Sequence, residues 1–398
     1  MSIVDSLSLI FVSFAMGISL FAATLFVGRA DHPKVHYPLA LFFFANALTY
    51  PSSIGELLGL QDHLLAGMEA SEAIPFYLLM PALWFYVKAL TAEKTTEYGR
   101  QYYWHLTFFG LAVILAILIW TVTPDVRVRL WDGPIVHTLY EAVIALFMNV
   151  VFLAQPIFTI AYAVAITRKL VRYRARLKDM FASTEQREMR WISWLVSLFA
   201  VDQVATFASD ISILVTDVDF YDSPISDALG LALFWTLALW GARQKPGLLE
   251  NEAEMNIGKS NTEAQDSVRP GESNKYGRSA LTDEMRSEIA TKIQQAMDVD
   301  TLYLESNLSL NKLAAHIGVH ANYVSQVINT TLESSFFDYV NGKRIETAAP
   351  RVKSEQETIL AIAFDVGFNT RSSFYTAFKK HRGMTPTEYR RKEETGSF

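Results

Sequence analysis

What most constrains this chain is a succession of long apolar runs. Seven stretches, near 6–28, 36–58, 72–90, 103–123, 138–166, 191–215 and 224–242, approach the roughly 20 apolar residues that an α-helix needs to cross the hydrocarbon core of a bilayer. Lipid offers backbone N–H and C=O groups no partner, so runs of this kind are expected to be helices that satisfy their own hydrogen bonds. With 51% hydrophobic and 13% aromatic residues in 398, the chain is too apolar for an ordinary soluble protein. The sixth run is interrupted by Asp202, Gln203 and Asp210, and the clean part of the seventh, "ALGLALFWTLALWGA", is short, which leaves six or seven spans. The opening "MSIVD" lacks the basic start of a signal peptide, and the first run is too long for a signal-peptide core, so it reads as a retained span.

Lys and Arg orient these runs, because cationic loops stay on the cytoplasmic face. Taking alternate loops together, one side holds fifteen Lys and Arg, eight of them in "TRKLVRYRARLKDMFASTEQREMR", and the other holds only Arg127 and Arg129. The asymmetry favours seven spans, with the N-terminus outside and the C-terminus in the cytoplasm. Residues 1–245 are therefore expected to be a transmembrane sensor or anchor domain.

After Pro246 the texture changes. Residues 246–280, which include "NEAEMNIGKSNTEAQDSVRPGESNKYGRS", are too polar to bury a core and read as a flexible cytoplasmic linker. From Leu281 onward apolar residues return at three- and four-residue spacing, the mark of a compact helical domain over 281–398. No strand-like alternation appears, so the fold class expected for the whole chain is all-α. The absence of cysteine excludes disulfides, thiolate catalysis and cysteine metal sites. The formal charge of −6 argues against a nucleic-acid partner only if it is spread evenly, and it is not: Arg371 to Lys392 carries seven Lys and Arg against the single acid Glu388.

Within 281–398 one plan occurs twice. "SLNKLAAHIGVHANYVSQVI" (309–328) and "TILAIAFDVGFNTRSSFYTAF" (358–378) each contain a short Ile/Leu-Ala helix, a glycine, a few polar residues and a second amphipathic helix. Gly318 and Gly367 fall where the first helix must stop in a left-handed cap, and Ser309 is placed to cap its start. If Val324, Ile328, Phe374 and Phe378 face a core, then Asn322, Ser325, Gln326, Arg371, Ser372, Ser373 and Thr376 face outward. "SSFFDYVNGKRIETAA" supplies a helix between the copies, expected to end or kink near Ala349 because Pro350 follows.

These residues carry a resemblance. "SLNKLAAHIGV", "YVSQVIN", "RIETA", "ILAIAFDVGF", "SSFYTAFKKHRGMTP" and the pair Tyr389-Arg390 are similar to the DNA-binding domain of the AraC/XylS family of bacterial transcription regulators, over about residues 300 to 392. The resemblance implies two helix-turn-helix units entering successive major grooves of promoter DNA. It assigns base contacts to Asn322, Ser325 and Gln326 in the first unit and to Arg371, Ser372 and Thr376 in the second. Arg suits guanine, and Asn or Gln suits adenine, while Lys379, Lys380 and Arg382 read as phosphate contacts. Such regulators usually carry a separate sensing or dimerising domain, and the apolar part occupies that place here. The expectation is a membrane-embedded regulator of the bacterial inner membrane, not an enzyme, with DNA, the lipid bilayer, a second copy of itself and an unidentified small-molecule or ionic signal as partners.

Ionisable residues inside spans are costly and point to function. Glu56, Glu141, Asp210 and Asp227 fall in the outer halves of four spans and are the candidate ligand pocket, with interfacial solvation or pairing to Arg127, Arg129 or His137 as the plainer alternative. No cofactor and no metal is expected, since no H-x-x-x-H or comparable ligand pair lies on one helix. A transporter or membrane enzyme finds no catalytic motif, and a retinal-type photoreceptor finds no lysine in the seventh run before Lys245. A stored transcription factor, released by cleavage in 246–280, remains the principal rival.

Overall fold

The computed structural model describes residues 3–29, 32–92, 100–132, 137–185, 187–216, 224–244, 281–354 and 356–394. Among them every regular element is a helix, and the one backbone bridge is an antiparallel pairing of Phe181 with Ser309. The chain divides into two compact units, one of Met1–Leu170 and Arg190–Leu249, the other of Val171–Met189 and Glu250–Phe398. Residues 246–280, read as a linker, lie outside the described residues apart from the bounds of these units.

The first unit contains α1 (Ile3–Val27), α2 (Pro33–Ala47), α3 (Pro51–Leu57), α4 (Asp62–Leu90), α5 (Thr107–Thr121), α6 (Pro124–Asp132), most of α7 (Leu139–Met180), α8 (Arg190–Thr216) and α9 (Pro224–Arg243). Helix α2 packs on α1 and α4, α9 on α1, and α4 on α5 and α6. Ala70, Ala73 and Tyr77 of α4, Leu115 and Ile119 of α5, Leu130 of α6 and Ile144 and Val151 of α7 share one buried cluster, in which the Tyr77 hydroxyl donates to the Val151 carbonyl at 2.5 Å.

Five described helical segments are long and apolar enough to cross a membrane: Ser6–Val27, Asp62–Leu90, Tyr102–Thr121, Leu139–Met180 and Arg190–Ser209. The second expected span is not continuous. The Leu48 and Thr49 amides turn back to the Ala45 and Asn46 carbonyls and close α2, and Pro51, with no N–H to give, opens α3. The third begins ten residues earlier than the hydropathy suggests, and the fifth runs fourteen further, into the cationic segment.

The second unit contains α10 (Asp283–Asp298), α11 (Leu310–His316), α12 (Ala321–Thr330), α13 (Phe336–Lys353), α14 (Ile359–Asp365), α15 (Arg371–Arg382) and α16 (Pro386–Glu394). Its helix starts are specified by side-chain caps: the hydroxyls of Thr282, Ser309, Ser335, Thr358 and Thr370 accept from the amides three residues on, and His320 accepts from Asn322. Two hydrophobic clusters result. One gathers Ile293, Leu313, Val324, Ile328 and Phe336 around α11 and α12; the other gathers Ile345, Ile362, Phe374 and Phe378 around α14 and α15.

Helix α13 does not end at Ala349. It runs through Pro350 to Lys353, because Pro350 lies on the exposed face one turn from the helix end. The carbonyl that proline leaves without a donor belongs to Glu346, itself exposed, so water can satisfy it. Residues 171–189 group with 281–394 rather than with the rest of 1–245, since Ala182 is paired by its backbone to Leu308 and buried in the first cluster.

Candidate functional site

Each second helix of the repeated plan is held by a glycine turn and presents a polar face. Gly318 (φ 66°) and Gly367 (φ 95°) both adopt the left-handed conformation that ends α11 and α14. In α12, Val324, Val327 and Ile328 are buried, while Asn322 and Gln326 are exposed and Ser325 is half-buried. In α15, Phe374, Ala377 and Phe378 are buried, while Arg371, Ser372, Thr376, Lys379, Lys380 and Arg382 are exposed. The inward residues expected are buried, and Asn322, Gln326, Arg371, Ser372 and Thr376 face outward as expected, whereas Ser325 and Ser373 are half-buried, the Ser373 hydroxyl donating to the Thr370 carbonyl at 2.9 Å.

These exposed groups are not all equivalent. The Arg371 guanidinium lies 4.9 Å from the centre of the Tyr375 ring and donates to its hydroxyl at 3.0 Å, and that hydroxyl also meets Thr387 of α16. The Thr376 hydroxyl donates back to the Ser372 carbonyl at 2.9 Å. The Lys380 ammonium is paired with Asp338 at 2.6 Å, so phosphate would have to compete with a carboxylate for it, whereas among the described residues Lys379 and Arg382 form no such ion pair.

Residues not foreseen as important hold the two copies together. Arg344 of α13 is fully buried, and it donates to the carbonyls of Tyr303 and Glu305, both at 2.7 Å, and to the Asn341 side-chain oxygen at 3.2 Å. Burial lowers its pKa to about 10, still far above neutrality, so the charge persists. Asn369, in the second turn, donates to the Ser306 carbonyl at 3.3 Å. Arg351 bridges Glu357 and Asp365, and Arg390 donates to the carbonyls of Val352 and Glu357. A single arginine in "NGKRIETA" looks like any surface arginine of a helix, and only its carbonyl partners, some forty residues away, reveal its place.

A family model described as a helix-turn-helix domain matches residues 313–392. The melibiose operon regulatory protein of Escherichia coli (strain K12) is 31% identical over 84 residues, which cover 21% of this chain and 28% of that protein. An uncharacterized HTH-type transcriptional regulator of Staphylococcus aureus (strain COL) is 32% identical over 99 residues, covering 25% of this chain and 13% of its own. Residues 313–392 are a helix-turn-helix domain of the AraC type. Among solved structures, the C-terminal domain of AraT, a response regulator from Geobacillus stearothermophilus, matches at 32% identity and TM-score 0.24, covering 29% of this chain and 88% of that one. The chain thus spans about a quarter or less of the length of these two curated relatives. The first is by name an operon regulatory protein and the second a transcriptional regulator.

The first unit has its own candidate site. A cavity of about 490 Å³ is lined by Glu69, Glu72, Phe76, Trp131, Phe152 and Gln155 among others. Glu72 accepts from the Ser52 amide and hydroxyl, both at 2.6 Å, and Glu69 and Trp131 line the same cavity. A second cavity, of about 220 Å³, shares Thr49 and Phe76 with the first and is lined by Asn46, Tyr50, Asp202 and Asp227. Of the four acids expected to form one pocket, the three whose side chains are described are not brought together. Glu56 is exposed on α3, and Glu141 is held by Arg129 at 3.1 Å and by the His137 amide at 2.9 Å. Asp227 lines the smaller cavity, and the Asp210 side chain lies outside the described residues.

Proposed function

We propose that this chain is a membrane-embedded one-component transcription regulator, whose apolar unit receives a signal and whose two helix-turn-helix units bind promoter DNA sequence-specifically. The observation that carries the reading is the joining, in one polypeptide, of five helices long and apolar enough to span a bilayer with an AraC-type domain. The fifteen-to-two distribution of Lys and Arg favours seven crossings, a cytoplasmic C-terminus and insertion in a bacterial inner membrane.

In this reading Asn322, Ser325 and Gln326 touch base edges in one major groove, Arg371, Ser372 and Thr376 in the next, and Lys379, Lys380 and Arg382 hold phosphates. Two copies acting together raise the local concentration of reading heads at a promoter. The signal site is best supported at the adjoining cavities that share Thr49 and Phe76, where carboxylates and aromatic rings suit a cationic or polar ligand.

Two measurements test this. A reporter active only in the cytoplasm, fused after Lys245 or within 168–190, should work, and one fused at 217–223 should not; the reverse would sink the orientation. Footprinting of the full chain in lipid nanodiscs on selected DNA should protect two segments about one helical turn apart. A single protected segment would remove one of the reading heads.

A further inference from the structure

The segment that follows α7 joins the DNA-binding unit at one place. The Ala182 amide donates to the Leu308 carbonyl at 3.0 Å, the Ser183 hydroxyl donates to the Ser306 carbonyl at 3.0 Å, and the Asn341 amide donates to the Ala182 carbonyl at 3.2 Å. Ala182 and Asn341 are each 1% exposed. The segment is stiffened from behind: Arg174 of α7 donates to the Glu188 and Met189 carbonyls, and the Thr184 hydroxyl donates to the Glu188 carboxylate at 2.5 Å. It is therefore a braced turn between α7 and α8, and it touches the stretch Ser306–Ser309 that leads into the first helix-turn-helix unit.

That stretch is also where the second unit is attached. The Ser306 carbonyl accepts from Ser183 and from Asn369 of the second turn, and the Glu305 carbonyl next to it accepts from the buried Arg344. Asn341 in turn accepts from Arg344 while donating to Ala182. One short strand of backbone thus carries the bonds from the α7–α8 turn, from the connecting helix and from the second turn.

We propose that residues 181–184 are a transmission contact: docked on Ser306–Ser309 and Asn341, they fix the two reading units in the mutual orientation that a two-part DNA site requires, and undocking releases it. The inference rests on the reading of the chain as a membrane-embedded regulator, because α7 and α8 both contain segments suited to spanning. A shift of either helix reaches this turn directly through the backbone. The contact is limited to the backbone pairing of Phe181 and Ala182 with Ser309 and Leu308 and two side-chain hydrogen bonds, and opening it withdraws only the Ala182 methyl from the first cluster, so it can open without unfolding either cluster.

The chain has no cysteine, which makes a cross-link clean to read. The full-length double variant Phe181→Cys/Ser309→Cys, at the bridged pair, should form a disulfide under mild oxidation in nanodiscs and keep its affinity for a two-part site. Ala182→Glu, which forces a charge into a buried position, should weaken binding to the two-part site about tenfold or more while leaving a half-site read by the second unit within about twofold. Hydrogen exchange over 310–330 shows whether the first unit remains folded in that variant. If it does not, Ser183→Ala, which removes one bond to Ser306, takes its place, with a loss of about threefold expected. Failure of the cysteine pair to cross-link, or two-part affinity unchanged in the folded undocking variant, overturns the proposal. If the unmodified chain bound no DNA specifically, the reading of the preceding subsection would fall instead, and the cross-link would still report the contact.

Discussion

The two copies of the helix-turn-helix plan look interchangeable in sequence and are not so in space. An added Cβ at Gly318 would meet nothing within 4 Å, whereas one at Gly367 would stand 2.7 Å from the Leu304 carbonyl, 3.0 Å from that of Tyr303 and 3.1 Å from Arg344 Nε. The first glycine answers only a backbone demand; the second is also pressed into the joint between the units. The copies differ in charge as well, since α15 ends in Lys379, Lys380, His381 and Arg382 while α12 has no basic residue in its last turn. The second copy is thus the one wedged into the scaffold and the more basic one, and the first is the one that receives the α7–α8 turn.

The sharpest way to break this contrast is to put the same methyl group at both turns. Gly367→Ala should destabilise the C-terminal unit by about 3 kcal/mol or more, through left-handed strain and overpacking together, against about 1–2 kcal/mol for Gly318→Ala. Hydrogen exchange of peptides from 281–394 in the full chain measures both, and equal losses would show that the second turn is not wedged.

Next in size is the buried arginine. Arg344→Met keeps most of the volume but strands the carbonyls of Tyr303 and Glu305, for a loss of about 2–3 kcal/mol. Its signature should be loss of protection around 302–308 rather than within α15. Protection lost evenly over both units would mean that the joint is not local.

On DNA, Arg371→Ala should cost about 1–3 kcal/mol and relax preference at one base, as should Asn322→Ala in the other half-site, while Lys379→Ala should weaken all sequences alike and lower the salt slope by about one. Binding isotherms at several salt concentrations separate these, and an unchanged preference in Arg371→Ala would mean that the register of α15 on DNA is different.

The smallest effect concerns acid. Hydrogen bonds from Arg351 hold the Glu357 carboxyl below the usual carboxylate range. Its contribution is therefore full above the ordinary glutamate pKa of about 4.3 and disappears as pH falls through the lower folded value. Glu357→Gln should lower the unfolding midpoint of the C-terminal unit at neutral pH and flatten its acid dependence below about pH 4. An unaltered acid profile would show that this bridge on α13 is not felt.

What could be read from the residues in order follows from how local each signal is. The helix caps, the two glycine turns and the buried and exposed faces of α12 and α15 are written within a few positions of one another, and the structure has them. The cavity of Glu69 and Glu72 is hidden by its own chemistry: Glu69, with Asp62 and His63, depresses hydropathy at the start of α4, so the apolar run begins only at 72, with Glu72 as its first residue. The break at Pro51 was masked in the opposite sense, because apolar residues continue on both sides of it. Residues 181–184 carried no signal at all. "FAST" is short, without periodicity and set in a basic stretch, and its partners Ser306, Leu308 and Asn341 lie more than a hundred residues away.

That separation has a consequence for how the protein comes into being. Ser183 and Ser306 are 123 residues apart, a stretch that takes on the order of 10 s to synthesise at about 5–20 residues per second. During that interval the turn after α7 exists and its acceptor does not, so the DNA-binding unit cannot close until most of the chain has left the ribosome. A gene fusion that transplants only residues 281–398 leaves the Leu308 carbonyl and the Asn341 amide without the segment that covers them. A chimaera meant to keep this contact has to carry residues 171–189 as well.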